Sequence, residues 1–340
     1  QFSSRRRMGG VTYFERDFDF DEHAREVEAT WDPRVGGGPA PSQSVRALDD
    51  GEPGWGENVG TGDDHPQDAR RPSAADDDVS TTSAAQASAW DAFHGTHDSG
   101  VFFKERRYLL AEFPKLCDPD VVRSVLEVGC GSGSSALPVL AANPRATVLA
   151  CDWSANAVRC ATRAVERAKG VESKDRFEGF VSDPSTSDDL AGEVHRRLTR
   201  RGLNHGLDAV LMVFVLSAVP PGEATASFLR RCVAALRPGG VVCFRDYGLY
   251  DLPMLRFPPN QRVGERTYVR QDGTLARFFT LDEVRVMFKA AGLVEEVAAA
   301  GGDTTTREPV RYCCVHNENK KKGIKMRRVF VHGVWRKPLG

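Results

Sequence analysis

The residues that most clearly promise chemistry are Val125-Leu126-Glu127-Val128-Gly129-Cys130-Gly131-Ser132-Gly133, an apolar strand running straight into a glycine turn that opens a helix. Glycine is needed there because a side chain would keep a ligand from approaching the backbone. A dinucleotide fingerprint has the spacing G-x-G-x-x-G; here Gly129, Gly131 and Gly133 follow G-x-G-x-G, and Ser134 takes the last fingerprint position. About twenty residues after the turn, the next strand ends at Cys151-Asp152-Trp153, which puts a carboxylate at the carboxyl edge of the second strand. That carboxylate can accept hydrogen bonds from both hydroxyls of a ribose; the competing use is as a helix cap before Ser154. The third strand likewise ends at Ser182-Asp183, and Pro184 after it leaves open a capping role for Asp183.

These groups need a scaffold, and from Trp90 onward strand-like and helix-like segments alternate as in a parallel sheet covered on both faces by helices. Strands are expected at 123–128, 147–151, 177–181, 208–216, 241–245 and 328–335. Between them, Val158, Ala161, Val165 and Ala168 make one apolar helical stripe across 155–168, and further helices are expected at 187–200, 223–236 and 281–291. Gly292 stands where a left-handed helix cap belongs. The stretch 249–279 is too long for a plain connection and is an insertion, with Gln271-Asp272-Gly273-Thr274 as a hairpin turn. Residues 34–89, rich in Gly, Pro and Asp with few large apolar side chains, read as a disordered linker. Residues 1–33 read as a docking arm, with a short helix over 21–29.

Charge divides the chain the same way. Residues 1–89 hold 9 Arg against 18 Asp and Glu, a net of −9, which leaves 37 basic against 29 acidic residues, or +8, for residues 90–340. A basic folded part suits a polyanion, since Lys and Arg neutralise phosphates. The 8 cysteines have no zinc-ligand spacing and read as reduced, intracellular thiols, and no apolar run reaches the roughly 20 residues that cross a bilayer. A soluble monomer with no membrane contact is expected. The chain begins at Gln1; a cytoplasmic location is the expectation, with mitochondrial or nuclear placement open.

The glycine turn with Glu127 ahead of it resembles the first motif of class I methyltransferases. That resemblance implies a Rossmann-like fold with a mostly parallel seven-stranded sheet, and S-adenosyl-L-methionine as cofactor. It further implies cofactor contacts from Glu127, Gly129, Gly131, Gly133, Asp152, Asp183 near the adenine amino group, and Val213 on the pocket floor beside Phe214. Longer strings are similar to one family, the tRNA 3-methylcytidine methyltransferases, which methylate N3 of cytidine 32 in the anticodon loop. They include Trp90-Asp91-Ala92-Phe93-His94, Phe102-Phe103-Lys104-Glu105-Arg106-Arg107, Phe214-Val215-Leu216-Ser217-Ala218-Val219, Phe244-Arg245-Asp246-Tyr247-Gly248-Leu249-Tyr250-Asp251 and Tyr268-Val269-Arg270-Gln271-Asp272-Gly273-Thr274. The resemblance spans nearly all of 88–337 and implies that Trp90 and position 94 close over the cofactor. This chain departs from it at His94, where the family commonly has Tyr, and at Asp183-Pro184, where it often has Asp-Leu.

In neutral cytosine N3 already carries an in-plane lone pair, so methylation needs positioning rather than a base. Asp246, at the carboxyl end of strand five, is the candidate acceptor for the cytosine amino group, and Tyr247 the candidate to stack or donate; a structural pair of Asp246 with an arginine competes. Phe103, Lys104 and Arg106 mix aromatic and basic groups that could stack a flipped base and hold phosphates, and Arg256 and Arg270 place similar chemistry on the insertion. Lys320 to Arg328 form a second basic cluster. A small-molecule methyltransferase and a catalytically silent RNA-binding adaptor are the rival readings. The expected partners are tRNA and an accessory protein such as an aminoacyl-tRNA synthetase.

Overall fold

A computed structural model describes residues 5–8, 11–14, 17–34, 82–96, 105–168, 171, 174–186, 189–296, 308–319 and 324–339. In chain order, β1 (Arg5–Met8) and β2 (Val11–Phe14) pair antiparallel, followed by α1 (Phe20–Thr30), α2 (Ser83–Thr96) and the single turn α3 (Leu109–Glu112). The central alternation is β3 (Ser124–Val128), α4 (Ala136–Ala142), β4 (Thr147–Asp152), α5 (Ala155–Arg167), β5 (Phe177–Val181), α6 (Leu190–Thr199), β6 (Leu207–Val213), α7 (Glu223–Ala235) and β7 (Leu236–Tyr247). The insertion holds α8 (Leu252–Arg256) and the small strands β8 (Arg262–Gly264), β9 (Thr267–Val269) and β10 (Leu275–Arg277). The chain closes with α9 (Leu281–Ala290), β11 (Val294–Glu295), β12 (Val310–Asn319) and β13 (Ile324–Arg336).

Strands β5, β4, β3, β6 and β7 lie side by side in that order, all parallel, and β13 joins β7 antiparallel. β3, β4 and β6 are buried at every position, as strands covered on both faces must be. Neighbouring residues serve opposite faces: Leu126 and Val128 pack into one apolar cluster with Phe244 and Trp335, while Val125 packs into the other with Leu140 and Val165. Helix starts follow side-chain caps, with Ser154 accepting from Ala157 N at 3.0 Å and Thr280 from Glu283 N at 3.1 Å. Gly292, at φ +87°, ends the α9 region as expected.

Four details differ from the sequence expectation. The linker assigned to 34–89 gives way to helix at Ser83, because an alanine-rich segment of high helix propensity buries Gln86 and Trp90; residues 35–81 lie outside the described residues. The strand expected to 216 stops at Val213, since Phe214 turns to φ +55°. β12 was not anticipated, its Arg311, His316 and Asn317 masking a strand that pairs with β13 from Val310 to Asn319. The short β11 then brings the sheet to eight strands rather than seven. The hairpin expected at 271–274 is present, with Val269 opposite Leu275.

At the amino-terminal end, α1 lies against the last strand pair and the insertion. Phe20 stacks on Tyr312 at 3.9 Å, His23 Nε2 meets the Tyr250 carbonyl at 3.0 Å, and Val27 is buried.

Candidate active site

The turn after β3 puts Gly129, Gly131 and Gly133 at φ +63°, +49° and +79°, conformations that L side chains rarely adopt. At Gly129 a Cβ would lie 2.3 Å from Val215 Cγ2, so the first glycine is fixed by packing as well as by backbone angle. The turn forms one wall of a pocket of about 680 Å³ at the carboxyl edge of the sheet, lined also by Ser132, Asp152, Trp153, Ser182, Pro184, Val213 and Phe214. Trp90 and His94 line it from α2, their rings stacked at 5.9 Å between centroids.

Asp152 is the acidic group of this pocket. Its Oδ2 accepts from Gly131 N and its Oδ1 from Ser154 N, both at 3.0 Å, so each oxygen keeps one lone pair for a ligand hydroxyl. Burial, opposed by those two bonds, pushes the carboxyl up to about 6. Glu127 sits behind the turn rather than on the pocket surface. Burial drives it up to about 7 against the opposing charge of Arg106, and its carboxyl is held by Ser135 and the Ala136 amide. Its Oε2 has no hydrogen-bond partner among the described residues.

Helix α2 is fastened over the pocket by a residue the sequence reading passed over. Asp91 Oδ1 accepts from Ser154 Oγ at 2.7 Å and Asn156 N at 3.2 Å, while its Oδ2 takes Asn156 Nδ2 at 3.0 Å. The signal for it was the Trp-Asp pair itself, read only for its tryptophan. Ser132 was passed over too, as a spacer between glycines; its buried Oγ has no hydrogen-bond partner among the described residues and borders the pocket.

Several expected site residues are used otherwise. Asp183 is not among the lining residues: Ser185 N and Oγ donate to its Oδ1 at 2.8 and 2.7 Å and Thr186 Oγ1 to its Oδ2 at 3.1 Å, so it caps its own turn. Asp246 is fully buried away from the pocket, accepting from Ser217 N and Tyr247 N at 2.9 Å each. Burial pushes its carboxyl up to about 6. What it holds is the Leu216–Ala218 turn, from which Ala218 lines the pocket. Tyr247 joins an aromatic cluster with Phe214 at 5.0 Å and Phe278 at 5.7 Å. Arg245 pairs instead with Glu112, Nη1 to Oε1 2.6 Å, deep in the core beside His332.

The basic residues divide likewise. Arg106, expected on phosphates, lines the pocket: Nη1 donates to Ser135 Oγ at 3.0 Å and its guanidinium lies 5.2 Å from the Phe214 ring centre. Arg270 ties its own hairpin, donating to Thr274 Oγ1 at 3.2 Å and the Leu275 carbonyl at 2.5 Å. Arg266 and Arg277 both pair with Glu283, and Arg328 makes a buried two-pronged pair with Asp251 at 2.9 and 3.1 Å. Arg256 is half-buried on α8. Phe103, Lys104 and Lys320–Lys322 lie outside the described residues.

The pocket suits S-adenosylmethionine: a carboxylate with two spare lone pairs for the ribose, an unsatisfied hydroxyl at the glycine turn, and an indole and imidazole for cover. His94 and Pro184, the two departures from the family pattern, both lie on its wall.

Comparison with known proteins agrees. Residues 126–242 match the family described as "Methyltransferase domain". The chain is 37% identical over 258 residues to the tRNA N(3)-methylcytidine methyltransferase Mettl2 of Drosophila melanogaster, covering 74% of this chain and 71% of that one. It is 36% identical over 255 residues to the human tRNA N(3)-cytidine methyltransferase METTL6, covering 73% and 79%. Among solved structures, a SAM-dependent methyltransferase from Methanosarcina mazei aligns at TM-score 0.44 and 18% identity over 65% of this chain and 94% of its own. With more than a third of aligned positions identical across most of both relatives, the chain belongs to the tRNA N(3)-cytidine methyltransferases, a family of S-adenosylmethionine-dependent enzymes.

Proposed function

We propose that this protein forms 3-methylcytidine at position 32 of the anticodon loop of tRNA. The observation that carries the base-binding half is Phe214: its left-handed backbone, φ +55°, accompanies a ring that borders the pocket, with the Arg106 guanidinium 5.2 Å and the Tyr247 ring 5.0 Å from its centre. Strained non-glycine backbone concentrates where a side chain must be aimed. An aromatic face beside a cation is the chemistry that receives an unstacked base and its phosphate.

When bound, S-adenosylmethionine supplies an electrophilic methyl group on a sulfonium. The chain's own residues then have positional tasks. Asp152 accepts from the ribose, Trp90 and His94 exclude water, and Asp246 keeps the Leu216–Val219 segment seated under the pocket through Ser217 N. Positive charge moves to the base during transfer, and the Phe214 face can stabilise it. No proton has to leave cytosine N3, so the methyl transfer itself asks for no general base. Action as a monomer in the cytoplasm, assisted by a tRNA-bound partner such as a synthetase, belongs to the same proposal.

The test is to incubate the protein and labelled cofactor with total tRNA, then identify the modified nucleoside by mass spectrometry and its position by sequencing. The expected result is 3-methylcytidine at position 32, lost when that cytidine is replaced by uridine. Label in another nucleoside, or at another position, overturns the proposal.

A further inference from the structure

Helix α2 touches more than the cofactor pocket. Its Gln86 is fully buried and does not line the pocket; its amide is spent on the insertion's hairpin, Nε2 donating to the Gly273 carbonyl at 3.0 Å and Oε1 accepting from Leu275 N at 2.8 Å. One and two turns further on, Trp90 and His94 cover the pocket and Asp91 is bonded to the start of α5, while Ser83, at the helix start before Gln86, meets Ser185 Oγ at 3.0 Å. The hairpin's own β10 packs in turn against the Leu216–Ala218 turn, whose Ala218 lines the pocket. A single rigid element thus spans the cofactor cover and the lip of the insertion.

We infer that Gln86 is a positioning residue that couples closure over the cofactor to seating of the 270–275 hairpin, so that a filled pocket holds the lip in place and an empty one lets it open. A buried side-chain amide bonded at both ends to one short hairpin transmits any displacement of its helix, because leaving would orphan Leu275 N and the Gly273 carbonyl together. Coupling of this kind is reciprocal: whatever seats the hairpin must also tighten cofactor binding. The inference rests on the cofactor pocket; its meaning for RNA, an ordered entry with cofactor first, rests on the proposed function.

Hydrogen exchange on the intact chain tests it without turnover, using S-adenosylhomocysteine as the probe. The amides to follow are Arg270 and Gly273, whose acceptors, Thr274 O at 2.8 Å and Arg270 O at 2.9 Å, lie inside the hairpin and survive any change at position 86. At a probe concentration of a hundred times Kd, any opening that needs α2 to leave is slowed by about 100-fold. Gln86→Met, which keeps the bulk and removes the amide, is expected to cut that slowing to about threefold or less while the probe still saturates. Gln86→Glu retains the acceptor for Leu275 N and should lie between, which preserves the test if the methionine variant does not fold. Unchanged protection of 270–273 in the wild type on saturation, or equal slowing in the variants, overturns the coupling alone. Failure of the probe to bind at all overturns the pocket assignment with it.

Discussion

The two halves of the active region behave differently. On the cofactor side, Gly129, Gly131, Gly133 and Asp152 border or shape the pocket as their spacing suggests, and Trp90, His94 and Val213 do so as the family resemblance implies. On the substrate side, Asp246, Arg270 and the insertion's Arg266 and Arg277 are absorbed into bonds that hold the protein together. The difference lies in where recognition resides. A nucleoside cradle is made mainly by backbone shape, which glycines announce in the sequence, whereas a polar side chain at a strand end serves backbone or ligand with the same residue type.

The contrast can be broken first at Gly129. A Cβ there meets Val215 at 2.3 Å on a backbone of φ +63°, so Gly129→Ala is expected to lose about 2–5 kcal/mol of stability and all measurable cofactor binding. Thermal unfolding with a cofactor titration decides this; a variant that binds normally would mean the turn is not the cradle. Next comes Asp246→Ala, which strips the acceptor from Ser217 N and Tyr247 N and should cost about 2–4 kcal/mol in denaturant unfolding, with Asp246→Asn milder. Unaltered stability with turnover abolished would restore Asp246 as a base contact.

Asp152→Ala strips the acceptor from Gly131 N and Ser154 N, which border the pocket where water can reach them, so it should cost about 1–2 kcal/mol of stability, and it should weaken cofactor binding about 100-fold or more by calorimetry, the loss of two ribose bonds to a charged acceptor. The same carboxyl sharpens the comparison through pH. Its folded value of about 6 stands above the ordinary 3.8, so its contribution to apo stability is complete below 3.8 and is lost as pH rises through about 6. Asp246, also at about 6, and Glu127, at about 7, act in the same direction. Ribose hydroxyls, by contrast, need the ionised form, so cofactor affinity should grow over the window in which apo stability declines. Parallel rise of both would contradict the role given to Asp152. The smallest effect is expected at Asp183→Ala, whose carboxylate serves Ser185 and Thr186: affinity should change by no more than about twofold, and a larger loss would return it to the adenine site.

Much of this was legible in the chain. The alternation after Trp90, the glycine turn, the hairpin at 271–274 and the cap at Gly292 followed from periodicity and turn chemistry. What stayed hidden was contact made across long separations. Nothing local to Gln86 or Asp91 says that one will seat a hairpin far along the chain and the other will grip Ser154. β12 was hidden because a strand at a sheet margin tolerates the polar residues that read as loop. Arg106 could be read only as one of a string of aromatic and basic groups; that its guanidinium lies over Phe214 at the pocket depends on how the fold brings two distant segments together.

With Phe20 on Tyr312, His23 on the Tyr250 carbonyl and Trp31 at 6.4 Å from Tyr250, the leading helix serves as a lining for the final strand pair. Burying Val27 alone is worth about 1.5–3 kcal/mol. Trimming the protein to a start at residue 90 would therefore bare a strip of aromatic rings to water, and such a fragment should clump during purification even though every residue lining the pocket is retained.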